Sequence, residues 1–262
     1  MIIKETEFPK IYKEKKGGGV LRFSVIFKTD KLPQANNMLF VSLIKEALQK
    51  SNPEYYEKIY FYNGKKNKQP KNFCFSIFIQ DFEVRDEICY IKDKVFLNIS
   101  TPDYECGVNI YNGLLKIKNF TYKNFHLNRE KIFLVREKKI NDNHVVFKTL
   151  SPILIRDKNN NFLEPQNEKF NEEMNYICNE ILKNYRGFGL KRSLTFQDIS
   201  LKKKIVKQEI EGFTQITGKK IFYANAYAGL FKLEGAVSDL DDLYKLGIGF
   251  RRSQGFGMIE VV

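Results

Sequence analysis

The chain has 262 residues, of which 43% are hydrophobic, so it can form one large domain or two of about 130 residues. Its formal net charge is +13, from 44 basic and 31 acidic residues. Such an excess favours a polyanionic partner, although the abundance of Lys, Asn and Ile indicates an AT-rich genome that contributes part of it. No apolar run approaches the roughly 18 residues of a membrane span, and no early segment resembles a signal peptide. We therefore expect a soluble, cytoplasmic protein with no membrane partner.

The cysteines and histidines do not have the spacing of a metal site. None of the four cysteines forms a C-x-x-C pair. The two histidines, His126 and His144, are isolated from one another. We predict no metal, no cofactor and no disulfide framework.

The first half of the chain alternates strand and helix patterns. Residues 1–20, which close on Lys15-Lys16 and three glycines, are interpreted as an irregular arm. The domain that follows, 21–140, is predicted to contain a helix in 36–50, a second helix in 102–116, and strands in 21–28, 73–80, 83–90, 95–100 and 125–138.

A cluster of turn residues, Asn141-Asp142-Asn143, marks the predicted domain boundary. The second domain, 144–262, repeats the order, with a helix in 170–185 and strands in 145–155, 205–210 and 221–233. Ser238 is predicted to cap a short helix with Asp241 at its third position, and Gly247 to end it. Each half thus approximates β-α-β-β-α-β, so the predicted fold is α+β with two tandem ferredoxin-like, RRM-like domains.

The last sixteen residues, GIGFRRSQGFGMIEVV, form the most informative segment. Glycines let a backbone approach a ligand closely, and guanidinium groups match phosphate oxygens. The segment lacks the context of a Rossmann fingerprint, and the chain has no P-loop sequence. A glycine-rich turn before an edge strand is the alternative. The predicted RNA-binding residues are Gly247, Gly249, Arg251, Arg252, Ser253, Gly255 and Gly257, together with Lys65, Lys66 and Lys68 of a basic loop that could guide phosphates.

Three motifs resemble those of the Cas6 family, the CRISPR repeat-RNA processing endoribonucleases of the RAMP superfamily. The first is GIGFRRSQGFGMIEV itself, which is similar to the family's glycine-rich loop. The second is the run TLSPI at 149–153, and the third is Leu32-Pro33 followed by the helix, Ser51-Asn52-Pro53 and the strand 73–76. The order and spacing fit from about Leu21 to Val262.

The resemblance implies the activity and the partner. Family members bind CRISPR repeat RNA and cut it without metal, since a 2′-hydroxyl attacks the adjacent phosphate and leaves a 2′,3′-cyclic phosphate and a 5′-hydroxyl. Such a reaction needs a base, an acid and a cation for the phosphorane charge. Binding to other CRISPR effector subunits and formation of a homodimer stay open.

The candidate catalytic residues depart from the family pattern. Tyr60 occupies the position where many members carry a histidine, Lys45 falls where a helix tyrosine is common, and Lys71 matches a family lysine. A tyrosine can act as an acid, but near neutral pH it acts as a base only if cations such as Lys45 lower its pKa. The alternatives are that Tyr60 packs below the helix and that Lys45 is solvated.

Three functions are therefore weighed. The first is a metal-independent endoribonuclease, and the second is a repeat-RNA binding subunit that cuts weakly or not at all. The third is a ferredoxin-like enzyme that binds a nucleotide at the glycine loop, which the lack of an acidic metal cluster beside that loop disfavours.

Overall fold

The computed structural model describes residues 21–62, 64–67, 69–209 and 221–262. The predicted arm, 1–20, and Lys68 lie outside the described residues. The first part of the chain contains ten strands and three helices among these residues: β1 (Leu21–Lys28), β2 (Lys31–Pro33), α1 (Asn37–Ser51), α2 (Pro53–Tyr60), β3 (Phe61–Tyr62), β4 (Lys65–Lys66), β5 (Cys74–Ile79), β6 (Phe82–Arg85), β7 (Ile88–Ile91), β8 (Val95–Thr101), α3 (Tyr104–Lys116), β9 (Asn119–Tyr122) and β10 (Phe125–Leu134).

Five of these strands form an antiparallel sheet in the order β5-β8-β1-β10-β9. Every second residue of β1 faces the core, and these residues, which include Phe23 and Val25, are buried. They pack against α1 and α3, whose buried residues join the same hydrophobic cluster. The helices thus cover one face of this sheet.

Helix α1 ends next to Asn52-Pro53, where the sequence places its end. A second helix, α2, follows directly, and the sequence analysis did not predict it. The side chain of Asn52 accepts a hydrogen bond from the Tyr55 amide at 3.0 Å, and Pro53 occupies the first helical position. Both residues favour a helix start. Tyr60 is consequently the last residue of α2.

Two predicted strands are wrong in their extent. The strand predicted over 83–90 is the hairpin β6–β7, which turns at Asp86 and Glu87 with positive φ angles of 48° and 61°. The strand predicted over 221–233 is interrupted at Gly229, whose φ of 149° suits glycine.

The second part of the chain contains β11 (His144–Thr149), α4 (Phe170–Arg186), β12 (Thr195–Asp198), β13 (Lys202–Gln208), β14 (Phe222–Ala228), β15 (Leu230–Glu234), α5 (Val237–Leu246), a 3₁₀ turn (Arg252–Gln254) and β16 (Ile259–Val261). Its main sheet has the order β12-β15-β11-β16, and β13 and β14 form a separate ribbon. In both halves the four strands of the β-α-β-β-α-β unit follow the spatial order 2-3-1-4. This confirms the predicted tandem ferredoxin-like fold.

Helix α5 begins differently from the prediction. Its cap is Ala236 rather than Ser238, and no side chain caps it. The fully buried Asp239 instead accepts hydrogen bonds from Arg186 and from the Lys191 amide, both at 2.7 Å. A buried carboxylate needs such partners, so this helix start is fixed by α4 and not by a local capping box.

The two halves meet across the outer face of the first sheet. Arg22 on β1 is 4% exposed, forms an ion pair with Glu260 at 3.3 Å and donates to the Ile259 carbonyl at 2.9 Å. The Ser151 hydroxyl donates to the Phe75 carbonyl at 3.2 Å. Within the described part of the chain, no helix is long and apolar enough to cross a membrane.

Candidate functional site

A cleft of about 520 Å³ lies where the two domains meet. One wall, which we call the lysine wall, is formed by α1, α2, Asn67 and residues 69–71. The other, the glycine wall, is formed by α4, Arg156 and residues 249–254 of the glycine-rich segment. Residues from distant parts of the sequence therefore share one concave surface, as in most ligand sites.

The lysine wall brings the three candidate catalytic residues together. The Lys45 ammonium lies 5.1 Å from the centroid of the Tyr60 ring, and the Lys71 ammonium lies 5.6 Å from it. These are cation–π distances. Lys45 reaches the cleft from the third turn of α1, Tyr60 from the end of α2, and Lys71 from the segment before β5.

The ammonium group of Lys71 has a lowered pKa in the cleft. Partial burial, and secondarily the nearby charge of Lys45, lower its pKa to about 8. Its amine donates to the carbonyls of Asn67 and Gln69 at 3.1 and 3.0 Å. In the neutral form both N–H bonds can serve these carbonyls, which leaves the lone pair for a proton from another molecule.

Tyr60 does not have the lowered pKa that base catalysis would need. Burial, with smaller contributions from Cys106 and Tyr56, raises the pKa of its phenol well above the usual range. The two ammonium groups beside the ring do not reverse that effect. Tyr60 is thus a protonated hydroxyl at neutral pH, suited to donating a proton and unsuited to accepting one.

The glycines of the C-terminal segment pack against the protein itself. All four are buried. A Cβ at Gly257 would lie 1.8 Å from the Ile248 carbonyl oxygen, and one at Gly255 would lie 2.6 Å from the Asn37 amide nitrogen. Both residues also have positive φ angles, of 66° and 83°. Their observed contacts therefore differ from the predicted role of admitting a phosphate to the backbone, and the same holds for Gly247 and Gly249.

The two adjacent arginines occupy different environments. The Arg252 side chain is 4% exposed and donates to the carbonyls of Leu246 and Lys71, the latter at 3.1 Å. Its burial lowers its pKa to about 10, against the smaller opposing influence of Cys74 and Cys178. These contacts tie the glycine wall to α5 and to the lysine wall. Arg252 is accordingly placed for a structural role, in contrast to the predicted phosphate contact.

Arg251 faces the cleft and is partly exposed. It adopts the left-handed conformation with φ 58°, donates to the Gln208 side chain at 2.8 Å and lies 4.4 Å from the Phe222 ring. Burial and the neighbouring Arg156 lower its pKa to about 10. Arg156 itself stacks 4.7 Å from the Phe250 ring. The sequence prediction missed Arg156, although it follows the TLSPI run by three residues.

The remaining predicted residues are more peripheral. Ser253 lines the cleft, while Lys65 is exposed on the two-residue strand β4, where Lys66 pairs with Phe61. His126 and His144 are exposed and hydrogen-bonded to Thr121 and Asn143, and neither lines the cleft. No cluster of three or more His, Cys, Asp or Glu residues suited to a metal occurs in the described ranges.

Comparison with known proteins agrees with this architecture. The family model "CRISPR associated protein Cas6, C-terminal" matches residues 135–261. The chain is 28% identical over 255 residues to a protein named CRISPR-associated endoribonuclease Cas6 1 from Methanocaldococcus jannaschii, with 91% of this chain and 92% of that protein covered.

Solved structures extend the likeness to the whole fold. A Cas6-related protein from Pyrococcus furiosus superimposes with a TM-score of 0.75 at 19% identity and covers 93% of this chain and 99% of its own. A RAMP protein described as binding different RNA substrates gives 0.76 at 20% identity, with 92% and 99% covered.

The sheet order and the structural neighbours together define a tandem ferredoxin-like protein. The Cas6 family model matches the C-terminal domain, and the similarity to the relative named as a Cas6 endoribonuclease runs along both domains.

Proposed function

We propose that the chain binds CRISPR repeat RNA and cleaves it in the interdomain cleft without a metal ion. The observation that carries the proposal is the convergence of Lys71, Tyr60 and Lys45 in a cleft opposite Arg251 and Arg156. The relative named as an endoribonuclease supports the reaction class. The cut would leave a 2′,3′-cyclic phosphate and a 5′-hydroxyl.

Lys71 is the proposed general base. With a pKa of about 8, it is neutral in about a tenth of the molecules at pH 7. This fraction can take the proton of the 2′-hydroxyl while the two N–H bonds remain paired with backbone carbonyls. A lysine tuned towards neutrality by burial is a recognised general base.

Tyr60 is the proposed general acid. Its raised pKa keeps the hydroxyl protonated until the 5′-oxygen leaves, and an alkoxide is basic enough to take that proton. Lys45 supplies positive charge for the phosphorane, and its charge also helps to keep the pKa of Lys71 low. The charge of the opposite wall, from Arg251 and Arg156, would hold the flanking phosphates.

A second function, RNA binding without cleavage, is favoured by one observation. Neither of the two histidines lines the cleft, so the reaction depends on a lysine and a tyrosine. The family resemblance also suggests protein partners, which would be other CRISPR effector subunits or a second copy of the chain. This proposal rests on the resemblance alone.

Incubation of the protein with cognate repeat RNA in EDTA separates the two functions. We expect a cut at one position, with a cyclic phosphate identified by resistance to phosphatase until acid opens the ring. A gel shift without cleavage would establish the binding function instead. Cleavage that EDTA abolishes and Mg²⁺ restores, or a 3′-hydroxyl product, would contradict the proposal.

A further inference from the structure

The outer face of the N-terminal sheet is open at one end. Strand register places Phe78, Phe96 and Ile26 side by side on β5, β8 and β1, followed by Lys131 on β10. Because side chains alternate along a strand, these residues point away from the helices that cover the opposite face. Phe133 lies two residues along β10 and shares the outward side.

The second domain covers one end of this face and leaves the other end exposed to solvent. At the first end Arg22, Ser24, Ser76 and Ser100 are 4%, 2%, 1% and 0% exposed, and Arg22 pairs with Glu260 of the second domain. At the other end the Phe78 side chain is 57% exposed. Burial of an aromatic ring is favourable, so a large exposed phenylalanine beside others indicates a contact surface.

The rings have the spacing of a stacking platform. The Phe78 and Phe96 centroids are 5.9 Å apart and the rings are inclined at 46°. The Lys131 ammonium lies 5.6 Å from the Phe133 ring. RRM domains stack bases on aromatic rings that lie on adjacent strands of their four-stranded sheet.

The charge of this face favours a nucleic acid. Its further outward positions carry Lys28, Asn98, Asn119, Asn128 and His126, none of which is acidic. The whole chain has 31 acidic residues, so a face whose outward register positions carry no Asp or Glu is unusually free of negative charge. The acidic residues next to it in sequence lie past the strand ends or in the β10 bulge: Asp30, Asp81, Asp93 and Glu130.

We propose that this surface, the phenylalanine face (Ile26, Lys28, Phe78, Phe96, Lys131 and Phe133), binds single-stranded RNA by stacking bases outside the cleft. The proposal rests on the proposed function in taking RNA as the ligand. The bases would lie on Phe78 and Phe96, and the two lysines would face the backbone phosphates. A protein partner fits less well, because a stable interface buries roughly 800 Å² on each side. The four apolar side chains of this face are too few to supply that area.

The test uses the full chain and a labelled polyuridine of about 12 nucleotides, which has no repeat sequence. Fluorescence anisotropy of the double variant Phe78→Ala/Phe96→Ala should show an affinity loss of about tenfold or more, the size of losing one or two stacked bases. Phe78→Leu/Phe96→Leu keeps the apolar volume and should lose as much. Tyr176→Ala, which removes another exposed aromatic residue, 59% exposed on α4, should bind normally.

Three outcomes would overturn the inference. Normal affinity in a double variant with a native circular-dichroism melt would do so. If polyuridine binding requires Arg251 but not Phe78, the strand uses the cleft and the face is not a site, while the proposed function stands. If sedimentation shows that the variants dissociate a dimer without changing RNA affinity, the face is a protein contact. Conversely, normal polyuridine binding with no repeat cleavage would contradict the proposed function alone.

Discussion

The two walls of the cleft use positive charge in different ways. On the glycine wall, the loop glycines are buried and the Arg252 guanidinium donates its hydrogen bonds to backbone carbonyls of the protein. On the lysine wall, Lys45 and Lys71 flank an aromatic ring and Lys71 has a pKa near neutrality. The first wall resembles a scaffold and the second a reactive surface. A glycine- and arginine-rich motif therefore does not by itself distinguish a cradle for a ligand from a close contact between domains.

The contrast between the two walls depends most on Lys71, so replacing Lys71 should have the largest effect on the cleavage rate. Lys71→Ala should slow single-turnover cleavage by about 10²–10⁴-fold at pH 7, the range for losing proton transfer. The measurement is the rate of cyclic-phosphate formation at saturating protein. Lys65→Ala, on exposed β4, removes a lysine of the same region and should change the rate little.

Lys71→Arg and the pH profile distinguish a base from a fixed charge. Because the neutral amine is the reactive form, the rate should rise with pH and level off above about 8. Arginine keeps the charge but does not lose its proton, so Lys71→Arg should be as slow as Lys71→Ala. A rate that Lys71→Arg restores, or that falls above pH 8, would assign Lys71 to charge stabilisation instead.

Tyr60→Phe should have the next largest effect, a slowing of about 10²-fold or more with near-normal RNA affinity. The ring and its contacts with both lysines remain, and only the hydroxyl is lost. Tyr62→Phe is the matched control, because Tyr62 is 72% exposed on β3. If Tyr60→Phe cuts normally while His126→Ala or His144→Ala is inactive, a histidine performs the reaction. If Tyr60→His is faster than the native protein, the native chain is a weakened nuclease.

The sequence was sufficient for the fold but only partly for the cleft. The order of strands and helices along each half follows from local alternation and periodicity, which depend on neighbouring residues. The start of α5 does not, because its buried Asp239 is paired by Arg186, 53 residues away in sequence. The contacts of Arg252 with Lys71, 181 residues away, are equally invisible to a local pattern.

The same limit applies to the electrostatics. Tyr60, Lys45 and Lys71 could be chosen by their positions in the family pattern, but the direction of each pKa shift depends on burial in the folded cleft. Burial raises the pKa of Tyr60 and lowers that of Lys71. These opposite shifts lead us to assign the base to lysine and the acid to tyrosine.

The scaffold role of the glycine wall predicts a loss of stability rather than of charge. Gly257→Ala should destabilise the protein by about 3 kcal/mol, since the added methyl meets the Ile248 carbonyl and the residue has a positive φ. Thermal unfolding measures the change. Gly64→Ala has a similar φ of 71° but open space, and should cost only about 1 kcal/mol. Equal losses in the two variants would show that close packing of the loop contributes nothing.

The adjacent arginines give the smallest and sharpest test of the comparison. Arg251→Ala should weaken repeat-RNA binding by about 1 kcal/mol and reduce its salt dependence by about one phosphate contact, with an unchanged melting temperature. Arg252→Ala should lower the melting temperature, because it leaves the buried carbonyls of Leu246 and Lys71 without their donors. Below that temperature its RNA affinity and salt slope should remain near normal. The distinction between a ligand-facing and a structural guanidinium would fail if both variants lost the same affinity and the same slope while remaining folded, since two such residues would then both contact phosphate.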